Sequence, residues 1–323
     1  MSQPLEHQLV PYAAVHSLGR GPVLVFAPHP DDETLGCGGA IMRHLEYGDA
    51  VTVVIVTDGA FGSAENRQAY VQTRHQEALR AAEVLGYGKP IFWDLPDRSV
   101  AFDEGLIGRI HSCIEVTKAS LVYTPSWWEI NPDHRNLSLC VAEAIRRCNH
   151  EVAIIMYEVG APLQPNRLLD VTDLYERKQS AIKCFTSQLA VQVYDQHIWA
   201  LNRFRTYTLP ANVQFAEAYR VVKQQDLMTD TDWAGFRSML GLQQSLLTQL
   251  LHIQTLLIDQ MDRNPTMFDF IAALDRCRQF CKPCDDLDSQ KNRDEVDAIL
   301  NSTSWRITAP MRALASFLKT RKR

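Results

Sequence analysis

The sequence predicts an α/β protein with a Rossmann-like, mostly parallel sheet, helices on both faces and a C-terminal helical extension. Short apolar runs recur through the first half of the chain and alternate with segments of helical periodicity. This alternation is typical of βαβ units and therefore of a parallel sheet. The runs are apolar at consecutive positions, as expected of strands that are buried on both faces. After about Val222 no strand-like run follows, so we expect the sheet to be complete by then.

The strands are predicted where the chain is apolar or β-branched at successive positions. The first reads V-L-V-F-A and the second V-T-V-V-I-V-T, and three shorter runs follow. The predicted strands are Val23–Ala27, Val51–Thr57, Ile91–Leu95, Leu121–Thr124 and Val152–Tyr157.

The segments between and after these strands have apolar or small residues at helical spacing. In Glu65–Leu85 the small residues share one face, and Gly86 provides a stop signal directly afterwards. The predicted helices are Thr34–Tyr47, Glu65–Leu85, Glu104–Thr117, Leu137–Arg147 and Asp173–Gln188.

Two domains are predicted, with residues 1–222 forming the sheet domain and residues 223–323 the helical extension. Leu209–Val222 closes the first domain, and polar residues 223–232 follow it. In the extension, apolar residues step by three or four positions, which predicts an appended helix or hairpin. These residues are Met239, Leu242, Leu246, Leu250, Ile253 and Leu257.

Composition limits the classes of function. The 323-residue chain is 46% hydrophobic and 22% charged, as expected of a soluble globular protein. Its net charge of -5 argues against nucleic-acid binding. We find neither a secretory signal nor an apolar stretch of about 18–20 residues. The eight scattered cysteines suit free thiols in a reducing compartment, so the sequence predicts a cytoplasmic protein.

The stretch after the first predicted strand reads H-P-D-D-E-T-L-G-C-G-G. It places His29, Asp31, Asp32 and Glu33 at the carboxyl edge of the sheet, where open α/β proteins have their active sites. Imidazole and carboxylate groups suit zinc, and a further carboxylate is available as a base. One alternative is a glycine-rich turn that packs a helix on the strand. Another is a methyltransferase-like or nucleotide-binding loop at Gly36–Gly39, which lacks the acidic residue expected after the second strand.

The run P-H-P-D-D-E-T-L-G-C-G-G resembles the signature A-H-P-D-D-E of the PIG-L/LmbE family of metal-dependent de-N-acetylases. The resemblance implies a Rossmann-like fold, bound zinc and removal of acetyl groups from N-acetylated amino sugars. Residues 131–134, N-P-D-H, are similar to the family's second motif H-P-D-H, whose last histidine binds the metal. The implied Zn²⁺ ligands are therefore His29, Asp32 and His134, although such N and O ligands also accept other divalent ions.

The resemblance also implies roles around the metal. Asp31 is expected to be the general base, and Glu33 a residue of the helix start. Arg74 and Asp97 match family positions that bear on the substrate. Arg74 and Glu77 also fit a surface ion pair, which remains an alternative.

Substrate contacts are likewise expected of Asn131 and Asp133 in the second motif. Asn131 stands where the family has a histidine that is implicated in protonating the leaving amine. An amide donates a hydrogen bond but does not transfer a proton, so another acid is needed here. Lys178 and Ser187-Gln188 resemble a late family motif, which extends the resemblance over most of the sheet domain.

The tail carries a second resemblance. Asn301–Arg312 is similar to a short C-terminal motif of bacterial enzymes of surface-polysaccharide assembly, particularly glycosyltransferases. The apolar stripe and basic end that follow fit either peripheral attachment to an anionic membrane or docking onto a glycosyltransferase complex. Three cysteines fit either ordinary helix ends or a zinc site that lacks an obvious fourth ligand. They are Cys277, Cys281 and Cys284.

The favoured function is a zinc-dependent hydrolase that removes an N-acetyl group from an acetamido sugar during bacterial surface-polysaccharide, or lipopolysaccharide, biosynthesis. The first alternative is a non-catalytic metal-binding assembly protein of such a pathway. The second is a nucleotide binder or methyltransferase. The sequence leaves open the identity and linkage of the sugar, which is free, nucleotide-linked, lipid-linked or polymeric, and the oligomeric state.

Overall fold

The computed structural model describes residues 6–61 and 66–228. Its seven strands are β1 Val23–Ala27, β2 Val51–Thr57, β3 Ile91–Leu95, β4 Leu121–Pro125, β5 Ala153–Tyr157, β6 Arg167–Asp170 and β7 Ala216–Lys223. Its α-helices are α1 Glu6–Leu9, α2 Asp32–Glu46, α3 Arg67–Leu85, α4 Glu104–Thr117, α5 Pro132–Arg146, α6 Tyr175–Ile182, α7 Thr186–Leu189 and α8 Tyr194–Phe204. Short 3₁₀ turns lie at Thr172–Leu174 and Asp226–Met228.

The strands form one sheet in the order β3-β2-β1-β4-β5-β7-β6. The first five strands of this order are parallel. The last two join antiparallel, β7 to β5 and β6 to β7. The mostly parallel, Rossmann-like sheet that the sequence predicts is thereby confirmed. In this order the chain reverses its direction of winding between β1 and β4, and ligands of open α/β sheets bind beyond the strand ends at that point.

Helices cover both faces of the sheet, as predicted. Leu24 and Phe26 of β1 point to the face covered by α4 and α5, where they join a buried apolar cluster. Val23, Val25 and Ala27 point to the opposite face, covered by α2, α3 and α6. Because both faces are buried, the strand is apolar at every position, which is why its sequence does not alternate.

Local signals set the helix ends. The Asp103 carboxylate accepts a hydrogen bond from the Leu106 amide at the start of α4, and Gly86 ends α3 with a φ of 91°. Helix α5 begins at Pro132, earlier than the predicted start at Leu137, with Asn131 as its N-cap. Its first turn is polar, so apolar periodicity did not reveal it, whereas the cap followed by proline is an N-terminal signal.

The region after β5 differs most from the prediction. The single helix expected over residues 173–188 is divided into a 3₁₀ turn, α6 and α7, and α8 follows. Strand β6 was not predicted, because it is only four residues long and lies at the sheet edge. Within Leu209–Val222, expected to close the domain, the chain forms most of β7.

Among the described residues, no helix combines the length and the apolarity needed to cross a membrane. The predicted extension beyond residue 228, its apolar stripe, its three cysteines and the tail motif lie outside the described residues. The domain boundary after Val222 stays a prediction.

Candidate active site

Loops from three parallel strands meet at the carboxyl edge of the sheet. The loop after β1 supplies His29, Asp31 and Asp32, and the loop after β3 supplies Asp97. His134 lies in the first turn of α5, directly after the loop from β4. The site therefore forms at the β1/β4 reversal, where the topology predicts it.

Three predicted ligands converge on one point. The His29 Nδ1 lies 3.0 Å from the Asp32 Oδ2 and 3.2 Å from the His134 Nε2, and the latter two atoms are 3.1 Å apart. Ligand atoms about 2.0–2.1 Å from a tetrahedral zinc lie roughly 3.3 Å apart. The observed triangle fits such an ion closely, and its three residues are all buried. The donor set is thus suited to a divalent metal.

Carboxylates lie behind both imidazoles. The His29 Nε2 is 3.2 Å from Asp97 Oδ1 and 3.4 Å from Asp133 Oδ2. The His134 Nδ1 is buried, lies 3.7 Å from Glu129 Oε2, and has no hydrogen-bond partner in the described part of the chain. Carboxylates in this position orient metal-binding histidines and raise their basicity.

The same carboxylates influence the protonation of the ligands. Burial opposes protonation of His29, but hydrogen bonds to Asp133, Asp32 and Asp97 outweigh it, so its pKa lies well above the usual value. Burial also opposes ionisation of Asp32, yet the neighbouring His134 and His29 lower its pKa. The carboxylates around the ligands therefore favour a positive charge at this point.

Asp31 lies beside the ligand triangle in an unusual backbone conformation, with a φ of 150°. Non-glycine residues rarely adopt positive φ, and such strain is concentrated at functional sites. Burial raises the pKa of Asp31 to about 6, although Arg74 opposes the shift. A carboxyl group with such a pKa can both accept and return a proton near neutral pH.

Arg74 is 2% exposed and its Nη2 lies 3.1 Å from the Asp31 Oδ2. The surface ion pair with Glu77 is therefore not formed. The Glu77 carboxylate instead accepts hydrogen bonds from the Thr186 hydroxyl and from the Ser187 amide and hydroxyl. The Nε and Nη1 atoms of Arg74 are buried without hydrogen-bond partners among the described residues, so two donors remain beside Asp31.

The other predicted substrate contacts lie close to the ligands. Asp97 accepts the Phe61 amide, and Asp133 accepts the amides of Arg98 and Val100. Both carboxylates thus join the β3 loop to His29. Asn131 accepts the Asp133 amide at 3.0 Å and caps α5. Direct substrate contact by these residues, and by Arg74, stays a prediction.

Sequence reasoning missed Glu129. It is 1% exposed, and it accepts hydrogen bonds from the amides of Val159 and Gly160 beyond β5. Burial raises its pKa despite the opposing His134. The signal that could have identified it is its position in the sequence. Glu129 directly follows Trp127 and Trp128 and stands just before the N-P-D-H motif.

The glycines of the first motif serve packing. A Cβ on Gly36 would lie 2.2 Å from the Tyr157 ring, and one on Gly39 would lie 2.4 Å from Val171. Both glycines are inside α2, so they allow the helix to approach the sheet. The structure therefore favours the packing role of these glycines over a nucleotide-binding loop.

Comparison with known proteins agrees with this geometry. Residues 24–145 match the family model PIG-L, described as GlcNAc-PI de-N-acetylase. A diacetylchitobiose deacetylase of Thermococcus kodakarensis is 27% identical over 192 residues, covering 54% of this chain and 72% of that protein. A 4-oxalmesaconate hydratase of Pseudomonas putida is 28% identical over 201 residues, covering 54% of this chain and 74% of that protein.

Among solved structures, the N,N'-diacetylchitobiose deacetylase of Pyrococcus horikoshii has the same fold. Its TM-score is 0.57 at 22% identity, over 64% of this chain and 85% of that chain. The region matched by the family model contains His29, Asp31, Asp32 and His134. The chain is thus similar to the PIG-L family over residues 24–145, and to a deacetylase over about half of its length.

Proposed function

We propose that this protein is a zinc-dependent N-deacetylase acting on an acetamido sugar. The observation that carries the proposal is the triangle formed by His29 Nδ1, Asp32 Oδ2 and His134 Nε2, with sides of 3.0–3.2 Å. A carboxyl group with a pKa of about 6 lies next to it. Amide hydrolysis requires a group that polarises the carbonyl and a base that takes a proton from water. A metal-binding triangle with a carboxyl group beside it can provide both.

In the mechanism, His29, Asp32 and His134 would hold a divalent metal, which would supply Lewis-acid polarisation of the amide carbonyl. The Asp31 carboxylate accepts a proton from the attacking water. Arg74 holds Asp31 in place through its Nη2. Asp97, Asp133 and Glu129 keep the two imidazoles oriented.

The leaving amine also needs a proton when the amide C–N bond breaks. Asn131 does not supply it, because an amide is not an acid and its oxygen is engaged in capping α5. Asp31 carries the proton taken from water and returns it to the amine in our proposal. One carboxyl group thus serves as base and then as acid.

The test is acetate release from a panel of N-acetylated sugars and sugar nucleotides, with and without chelator. We expect release that stops on chelation and returns with zinc. Asp31→Asn should retain the metal but lose roughly 10²–10⁴-fold in rate, and His134→Ala should lose the metal itself. Metal content is measured separately, so the two defects are distinguishable.

A metal-loaded protein that releases no acetate would support the non-catalytic alternative. Hydration of 4-oxalmesaconate without acetate release would instead place the protein with the hydratase relative. The panel therefore includes the substrate of that enzyme. Full metal occupancy in His134→Ala would remove His134 from the site.

We also infer that the sugar belongs to a bacterial surface polysaccharide such as lipopolysaccharide, and that the protein works in the cytoplasm at the inner face of the membrane. The support is the resemblance of Asn301–Arg312 to enzymes of polysaccharide assembly and the basic end that follows. Removal of residues from Asn301 onward should spare metal binding but abolish salt-sensitive sedimentation with anionic liposomes. Equal sedimentation of both forms would leave only docking to a partner protein, such as a glycosyltransferase.

A further inference from the structure

Arg98, in the loop after β3, has a strained backbone beside the active site. Its φ is 69°, a region that residues with a Cβ rarely adopt. Its amide donates a hydrogen bond to the Asp133 Oδ2 at 2.7 Å, and that same oxygen lies 3.4 Å from the His29 Nε2. The strained residue is thus separated from a candidate metal ligand by one carboxylate. Strain that the surrounding structure enforces next to an active site points to a function.

The side chain of Arg98 extends over the ring of Phe61, with its guanidinium carbon 5.2 Å from the ring centroid. Phe61 is 68% exposed, and its amide donates to the Asp97 Oδ2. The other oxygen of Asp97 faces His29, so the backbone of Phe61, like that of Arg98, is one carboxylate away from a candidate metal ligand. Such a pair combines two surfaces: the ring offers an apolar face, and the guanidinium offers a positive charge.

The guanidinium of Arg98 has donors to spare. Its nearest charged partner is Asp97, at 4.0 Å from its Nε, beyond hydrogen-bond range. Within residues 6–61 and 66–228 no side-chain hydrogen bond of Arg98 is formed. Its side chain is 45% exposed, so the donors remain open to a ligand.

The neighbouring arginines are committed elsewhere. Arg67 pairs with Asp58, and Arg74 with Asp31. Arg135 donates to the carbonyl oxygens at positions 129 and 130. These three guanidiniums hold loops and the base in place, whereas that of Arg98 lies over the Phe61 ring with its donors open.

We propose that Arg98 and Phe61 form a subsite for an anionic group, phosphate or carboxylate, carried by the acetamido sugar. The proposal rests on the deacetylase function and names its substrate class. The planar guanidinium matches an oxyanion with paired hydrogen bonds. The ring of Phe61 restricts the guanidinium to one side and offers apolar surface to the sugar. An anionic substrate would bind with its charge at this subsite and its amide at the metal.

The experiment compares three full-length, zinc-loaded proteins: the wild type, Arg98→Gly and Lys118→Gly. Lys118 is a matched control, because it is also a basic residue at positive φ, 53°, but it caps the far end of α4. Both glycine variants lose one positive charge and relieve a strained backbone, so both should fold as the wild type does. Calorimetry then gives Kd for glucosamine, for glucosamine phosphorylated at the anomeric carbon, and for glucosaminuronic acid.

We expect the wild type to prefer an anionic sugar over glucosamine by about ten- to a hundredfold, the usual value of a hydrogen bond to a charged group. Arg98→Gly should lose this preference, and Lys118→Gly should keep it. Comparing the Kd of the phosphorylated sugar with that of glucosaminuronic acid shows whether phosphate or carboxylate is favoured. If Arg98→Gly does not fold, Arg98→Asn replaces it, because asparagine tolerates positive φ.

The inference is overturned if the wild type shows no preference, if Arg98→Gly retains it, or if Lys118→Gly loses it equally. Acetate release from N-acetylglucosamine, from its anomeric phosphate and from N-acetylglucosaminuronic acid is measured on the same samples. No release from any of the three would count against the deacetylase function, whereas the three Kd values test the anionic subsite independently.

Discussion

At the scale of single residues, the site is organised by carboxylates that hold histidines and backbone together. Glu129 shows this dual use, since its carboxylate faces His134 and also accepts amide hydrogen bonds from the loop after β5. Asp133 does the same for His29 and the β3 loop. The ligands are therefore oriented by groups that are themselves fixed by the backbone, which preorganises the site.

We predict that Glu129→Gln lowers metal affinity about 10- to 100-fold without unfolding the protein. Glutamine keeps an acceptor for the amides beyond β5 but removes the charge that supports His134. Competition with a chromophoric zinc chelator measures the change. Glu143→Gln, near the C-terminal end of α5 and paired with Arg146 and Arg147, is the control and should bind zinc normally. Unchanged affinity in Glu129→Gln would mean that His134 needs no carboxylate behind it.

We predict that Asn131→His leaves metal binding intact, raises deacetylation, and destabilises the fold by about 0.5–2 kcal/mol. The loss of stability follows from removing the side chain that caps α5. The gain follows if the imidazole supplies the missing proton donor. Asn131→Ala is the matched control, because it loses the cap without gaining an acid. If the histidine variant is no faster than the alanine variant, a proton donor at this position is not what limits the rate.

At the scale of elements, α2 depends on a distant strand. The helix is interrupted at Cys37, whose φ of −139° is not helical. The amides of Gly39 and Ala40 in its second half donate to the Glu217 carboxylate of β7. Glu217 in turn pairs with Lys178 of α6 at 2.6 Å, and both side chains are buried. The second half of α2, which follows the break at Cys37, thus has its first free amides bonded by a carboxylate of β7.

We predict that Lys178→Met alone destabilises the protein by about 3–5 kcal/mol, because it leaves the Glu217 charge buried and unpaired. Adding Glu217→Gln should recover part of this loss, since the amide still accepts a hydrogen bond. Urea unfolding of the two single variants and the double variant measures the coupling. Glu104→Gln, in an ion pair whose Glu104 side chain is 78% exposed, is the control and should cost about 0–1 kcal/mol. Additive losses would show that the buried ion pair contributes no coupling.

At the scale of the whole molecule, one buried histidine ties helix, loop and sheet together. His44 of α2 contacts the Asp49 carboxylate through Nδ1 at 2.9 Å and the Tyr123 hydroxyl of β4 through Nε2 at 2.7 Å. Burial lowers the pKa of His44, although Asp49 opposes the shift. The folded protein therefore keeps this imidazole neutral at a pH at which the unfolded chain protonates it.

We predict that His44 makes the fold less stable as the pH falls through its unfolded pKa, about 6.5, toward its lower folded value. In that window the unfolded chain binds more protons, so acid favours unfolding. His44→Gln should be less stable than the wild type near pH 8 but should lose less stability on acidification. Urea unfolding between about pH 8 and pH 5 gives both slopes. Parallel slopes would show that His44 does not contribute to the acid dependence.

The sequence by itself determined the sheet of five parallel strands and the helices on both faces. These follow from local patterns, above all from apolar runs typical of strands buried on both faces. A histidine with carboxylates directly after the first strand indicated a metal site, but the choice of His29, Asp32 and His134 as ligands came from the resemblance of two motifs to the PIG-L/LmbE family. By contrast, β6 and the division of the helix after it depend on distant partners. Glu77 fixes α7 through Ser187, and no local signal reveals such a pairing.

Only the tertiary structure decided which groups surround the ligands. Asp97 follows β3, whereas Glu129 and Asp133 lie between β4 and the first turn of α5, and their approach to the imidazoles is a consequence of the strand order. The stacking of Arg98 on Phe61 likewise joins the loops after β3 and β2. Parallel strands bring loops together that are far apart in the chain. A motif can therefore name a ligand, while the charges around that ligand are set by which strands are neighbours.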